Sequence, residues 1–149
     1  MKKILLTLCV VSFIFACKKD SNTVSANLDL TVNNIKGKYK ATDATFTLDG
    51  SAIENNVFAD SLYKPCKKDD TFTFDSLGIF TYADAGIQCV PPENYSSPYT
   101  LTAPSTLKYD NKTYTVVTLN KTQLTISRFD SATISGIKFK GIFKIFLTK

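Results

Sequence analysis

The chain has 149 residues, 18 Lys+Arg against 13 Asp+Glu, and a formal net charge of +5; one domain is the natural count for that length. His and Trp are absent and the single Met is the initiator, which excludes Ser-His-Asp and Cys-His catalysis and every His-ligated metal site. Apolar residues at 44% and charged residues at 21% describe a chain that folds.

The first elements are addresses rather than structure. Met1-Lys2-Lys3 is a short basic start, and Ile4 to Phe15 is an apolar stretch too short for a stable membrane span. A small residue, Ala16, then precedes Cys17. The run Ile14-Phe15-Ala16-Cys17 resembles the lipobox of bacterial lipoproteins, in which the Cys thiol is diacylated and the peptide is cut just before it. The alternative is an ordinary secretory signal with an incidental Cys. On the lipobox reading, residues 1–16 are a cleaved signal peptide and Cys17 is the lipidation site. Two or three acyl chains anchor stably, since each buried CH₂ contributes about 0.8 kcal/mol. Removing Lys2 and Lys3 leaves 16 cations against 13 acids, a net +3 that is too mild for a nucleic-acid binder. Residues 17–33 then form the lipidated Cys and a polar, aperiodic, flexible tether. No Asp follows Cys17 directly. In the sorting rule of some Gram-negative lipoproteins that favours the outer membrane, on its periplasmic or surface face.

From residue 34 to 149 the chain alternates with period two. Ile35, Gly37, Tyr39 and Ala41 interleave with Lys36, Lys38 and Lys40, as in a half-buried strand. Thr45-Phe46-Thr47-Leu48 continues before an Asp49-Gly50-Ser51 turn, and 51–65 is weakly patterned. Thr71 to Asp75 and Ile79 to Tyr82 flank Ser76-Leu77-Gly78, a hairpin signal. Ala83 to Pro98 holds one Gly and three Pro and reads as a loop. Leu107-Lys108-Tyr109 and Thr113 to Val116 flank Asp110-Asn111, a second hairpin signal. Leu124 to Ser127 follows the Asn120-Lys121 turn. Last, Ile137, Phe139, Gly141, Phe143, Ile145 and Leu147 fall on one face, with Gly141 expected at a bend or bulge. No stretch after residue 17 has a helical period. Eight to ten short strands joined by close turns predict an all-β antiparallel meander, barrel or sandwich. Nine Phe and seven Tyr supply its core after the signal is removed.

Four cysteines are present. Cys9 leaves with the signal and Cys17 takes the lipid, so Cys66 and Cys89 remain as a pair in an oxidising compartment. A disulfide closing the loop between them stabilises by about 3 kcal/mol. Two reactive thiols or a metal pair are the alternatives, and neither has a supporting His or Cys-x-x-Cys spacing.

These residues also resemble a family. Ile35-Lys36-Gly37-Lys38-Tyr39-Lys40 is similar to the Gly-x-Trp first strand of lipocalins, with Tyr39 in the Trp position. Pro65 to Phe74, then Gly78 to Tyr82, then Cys89 resembles the lipocalin-like domains of small Bacteroidota lipoproteins, as does Leu119 to Ile126. The likeness spans about residues 35 to 147. It implies an up-and-down barrel of about eight strands that binds a small apolar molecule. Trp and the late Arg that pairs with it in classical lipocalins are missing, since the sole Arg, Arg128, precedes the last strand.

Catalytic signals are weak, and the expectation is no enzyme, no cofactor and no metal. Asp69 and Asp70 are neighbours, which point opposite ways on a strand, and read as a solvated strand entry. Phe72, Phe74, Phe80, Tyr82, Phe139 and Phe143 are candidates for core or pocket lining. Asp60-Ser61, Asp75-Ser76 and Asp130-Ser131 resemble the Bacteroidota O-glycosylation motif, giving Ser61, Ser76 and Ser131 as candidates, although Asp-Ser is also ordinary turn chemistry. The functional expectation is a membrane-anchored lipoprotein, held through its N-terminal lipid, whose barrel binds a small apolar ligand in the cell envelope. The alternative is a filled barrel that docks an envelope protein or glycan. A ligand-sized cavity separates the two.

Overall fold

The computed structural model describes residues 27–59, 62–134 and 136–149. The strands are β1 (Gly37–Leu48), β2 (Glu54–Asn56), β3 (Thr71–Phe74), β4 (Ile79–Ala83), β5 (Tyr95–Thr102), β6 (Thr106–Tyr109), β7 (Lys112–Leu119), β8 (Gln123–Ile134) and β9 (Ile137–Thr148). β1 pairs with β3, each strand from β3 to β9 pairs with the next, and β9 returns to β1, all antiparallel. The result is a closed eight-stranded up-and-down barrel, and closure removes the free edges of an open sheet. β2 lies outside the ring as a short second partner of β1.

Local chemistry sets the turns. Asp110 and Asn111 both take positive φ, 48° and 55°, the backbone that joins two strands with a two-residue turn. The Asp75 carboxylate accepts from the N–H groups of Leu77 and Ile79 at 2.8 and 2.7 Å, fixing the β3–β4 turn. Pro98 lies in β5, opposite Ile79, rather than in a loop that runs through it. It tolerates that place because the β5–β6 ladder starts only at Tyr99, so its missing N–H breaks no bond.

β1 is the seam. Gly37 to Lys40 pair with β3, and Lys40 to Leu48 pair with β9, with a register shift between Ala41 and Asp43 that bends the strand. Gly141 was expected at a bend, yet β9 pairs with β8 through it without a break. Its role is close approach: a Cβ there would collide with the Thr47 carbonyl oxygen and stand 2.9 Å from the Phe46 ring.

One end of the barrel is filled. Tyr39, Phe74, Leu107, Leu119, Leu124 and Leu147 are essentially inaccessible there, each such side chain contributing about 1.5–3 kcal/mol. The single helical turn α1 (Val32–Ile35) seats Ile35 in this core, and the Thr31 hydroxyl caps it by accepting from the Asn34 N–H at 3.3 Å. One turn is too short to display a helical period, hence its invisibility in the sequence. The Tyr39 hydroxyl donates to the Ile35 carbonyl at 2.7 Å. Leu28, Leu30 and Val32 pack on the same core, and the Leu28 N–H donates to the Leu119 carbonyl at 2.6 Å. The packed chain therefore begins inside the segment read as tether, because Leu28, Leu30 and Val32 find a surface to cover.

Candidate functional site

Beyond the filled zone the barrel encloses a cavity of about 460 Å³, partly open to solvent. Every strand of the ring supplies lining. Phe46, Phe72, Tyr82 and Tyr95 come from β1, β3, β4 and β5, Tyr109 and Tyr114 from β6 and β7, Arg128 from β8, and Phe143 from β9. They occupy inward positions of the two-residue period, so alternation in the sequence becomes one aromatic wall. Phe80 lies under Tyr109 with ring centroids 4.1 Å apart, and Phe74 lies 5.0 Å from Phe80. This cluster is the floor that separates cavity from filled core. Tyr109 stacks on Tyr114 at 4.5 Å and 7°, and Tyr82 stacks on Tyr95 at 5.3 Å and 28°.

Burial, in each case the largest cause, pushes the hydroxyls of Tyr63, Tyr82, Tyr95 and Tyr109 above the ordinary tyrosine range. They stay protonated at any physiological pH and remain hydrogen-bond donors or acceptors, not charges. Charge enters at the rim. Lys64, Lys67, Lys112 and Arg128 line the cavity against Glu93 and Asp130. Lys67 pairs with Glu93 at 2.6 Å, Arg128 with Asp130, and Lys112 with Asp110.

A loop over residues 84–94 shapes that rim. Cys66, in a 3₁₀ turn (Pro65–Lys67), and Cys89 are at disulfide-bonding distance, with Cα atoms 5.1 Å apart. Three carboxylates hold the rest. Asp70 accepts from the Tyr82 hydroxyl and from the Ala85 N–H at 3.1 Å. Asp69 accepts from the Ile87 N–H at 2.8 Å, and Asp84 from those of Cys89 and Glu93 at 3.0 and 3.1 Å. Gly86, at φ 61°, is needed because a Cβ would run into the Asp69 carboxylate. Asp70, Asp84 and the Cys89 sulfur converge within 4.8 Å, but the sulfur is in the disulfide and the carboxylates are engaged by backbone N–H groups. The convergence folds the loop. Asp70, expected to be solvated, is fully buried; burial is affordable because Tyr82 and Ala85 satisfy both of its oxygens.

Among the sequence-derived candidates, Phe72, Tyr82 and Phe143 line the cavity, while Phe74 and Phe80 are buried beneath it. Phe139 packs against the core on the long β8–β9 hairpin. Ser76 is exposed in the β3–β4 turn and Ser131 is exposed on β8. Ser61 and Cys17 lie outside the described residues. Sequence reasoning missed Arg128 as a cavity residue. The signal was present in the alternation, since Leu124, Ile126 and Arg128 share one face of β8. No family model, curated protein or solved structure matches the chain.

Proposed function

We propose that this protein is a lipid-anchored lipoprotein of the bacterial envelope, with a lipocalin-like barrel that holds a small molecule by its apolar body. The cavity carries the reading. Its volume of about 460 Å³ falls in the range of about 300–1,000 Å³ usual for small-molecule sites. An eight-stranded barrel either fills itself or keeps room for one small ligand; this one does the first at one end and the second at the other. The space favours ligand binding over the filled-barrel docking module. The lipid anchor rests on the Ile14-Phe15-Ala16-Cys17 pattern, and the family likeness on the Cys66–Cys89 block.

Native mass spectrometry of the whole protein, extracted from its own envelope in mild detergent, tests both parts. A diacylglyceryl mass on an N-terminal Cys17 and a second, releasable adduct support the reading. An unmodified Cys17, or a chain starting elsewhere, ends the anchor. An adduct-free spectrum that stays so after incubation with envelope lipids ends the carrier.

A further inference from the structure

We propose that the cavity selects ligands whose apolar or aromatic body ends in an anionic head, with Arg128 as the residue that binds the head. This deepens the carrier reading and rests on it. Arg128 is the sole arginine of the chain, and it lines the cavity at its rim. It sits opposite Phe143 across the β8–β9 ladder, on the inward face, with its side chain 25% exposed. The guanidinium carbon lies 5.5 Å from the centre of the Tyr114 ring, which stacks on Tyr109. A cation over an aromatic face is fixed in place and weakly hydrated.

A guanidinium has five N–H donors. Among the described residues its side-chain hydrogen bond runs to Asp130 alone, so most of its donor capacity is unspent. Asp130 holds the group in place; among the described residues Lys67 is paired with Glu93 and Lys112 with Asp110, so Lys64 is the one lining cation in excess of these ion pairs. Burial, the largest cause, and then neighbouring acidic and phenol groups push the hydroxyls of Tyr95 on the wall and Tyr109 on the floor upward, and Arg128 opposes this weakly. Those hydroxyls stay protonated and add neutral donors beside the cation. A cationic fork at the rim and phenol donors along the wall and floor of an aromatic cavity suit a carboxylate, sulfonate or phosphate on an apolar body. A purely apolar ligand suits them less, since it would cover the guanidinium donors that Asp130 does not engage and offer them no acceptor.

The test uses two probes with the same rings, 8-anilinonaphthalene-1-sulfonate and neutral N-phenyl-1-naphthylamine. Fluorescence titration is done on the mature chain carrying Cys17→Ser, so that no detergent competes, after cooperative unfolding has shown it folded. The sulfonate is expected to bind at least about tenfold tighter at low salt. Arg128→Gln should erase that preference while the neutral probe keeps its affinity. Asp130→Asn, which frees the guanidinium from its carboxylate, should widen it, an effect no merely structural role for Arg128 produces. Equal binding of both probes, or a narrower preference in Asp130→Asn, overturns the anionic-head inference and leaves the carrier standing. Binding of neither probe to the folded protein removes both.

Discussion

The hydroxyl of Tyr82, on the cavity wall, donates to the carboxylate of Asp70, which is fully buried where the chain enters β3. The same carboxylate accepts from the Ala85 N–H in the disulfide loop. Asp70 therefore ties a ligand-facing ring to the loop that shapes the rim. Burial, the largest cause, drives its carboxyl above the usual range, the hydrogen bonds from Tyr82 and Ala85 oppose this, and Asp84 and Asp69 push further up.

Two substitutions separate the hydrogen bonds from the charge. Asp70→Ala leaves two buried donors without acceptors and is expected to cost about 2–4 kcal/mol. Asp70→Asn keeps an acceptor for Ala85, offers an amide donor to the Tyr82 oxygen, and should stay within about 1 kcal/mol of the parent at pH 7. The pH dependence follows from the raised carboxyl. Between the unfolded value near about 3.9 and the higher folded value, the native state holds a proton that the unfolded chain has lost. Stability from this group is complete below that window and falls as pH rises through it. Asp70→Asn has no such proton. The parent-minus-Asn difference in urea stability should decline from about pH 4 upward and then level off. A difference flat across the series would show that Asp70 titrates as an ordinary carboxylate.

Breaking the Cys66–Cys89 link should cost about 3 kcal/mol, the chain entropy of the loop it closes. The effect should reach the rim, because Lys67 and Glu93, which pair at 2.6 Å, sit beside the two cysteines. Urea unfolding with and without reductant, alongside Cys66→Ala/Cys89→Ala, measures it. A loss under about 0.5 kcal/mol would mean that the carboxylate-to-backbone bonds alone hold the loop.

Much of the barrel is written in local pattern. The one-faced run from Ile137 to Leu147 is β9, and the Asp110-Asn111 turn is where its sequence puts it, since both depend on neighbours in the chain. What escaped depends on distant partners. Nothing near Thr42 announces that β1 must bend to serve both β3 and β9. The pair Asp69-Asp70 looks solvated until Tyr82, twelve residues on, arrives as a donor to Asp70. Polar residues break the apolar pattern of β8 at Arg128 and Asp130, so the strand appears to stop at Ser127, whereas it runs to Ile134 because the opposing strand continues.

Gly141 is the tightest point of the seam. Gly141→Ala is expected to destabilise by about 1–3 kcal/mol, because the methyl must displace either the Thr47 carbonyl or the Phe46 ring. Both belong to the β1–β9 closure, so hydrogen exchange should speed up at residues 44–48 and 141–146 ahead of the filled end. Unchanged stability would place the contact among those that relax freely.

The barrel's two zones should respond differently to the same truncation. Phe80 is wholly inaccessible beneath Tyr109, so Phe80→Ala opens a void in packed floor and should cost about 3–5 kcal/mol. Phe143 is a cavity wall, half-buried, with its ring parallel to Tyr63 at 6.4 Å. Truncating it merges new space with space that already exists, so fewer contacts are lost, and Phe143→Ala should cost under about 2 kcal/mol. Its larger effect should fall on ligand affinity, which an enlarged cavity lowers for a body that touched the ring and leaves unchanged for one that did not. Urea stabilities of the two variants, compared with their affinities for the neutral naphthylamine probe, test the division. Equal stability losses would mean that the cavity closes up in solution and that the barrel is filled along its whole length, which favours the docking module over the carrier.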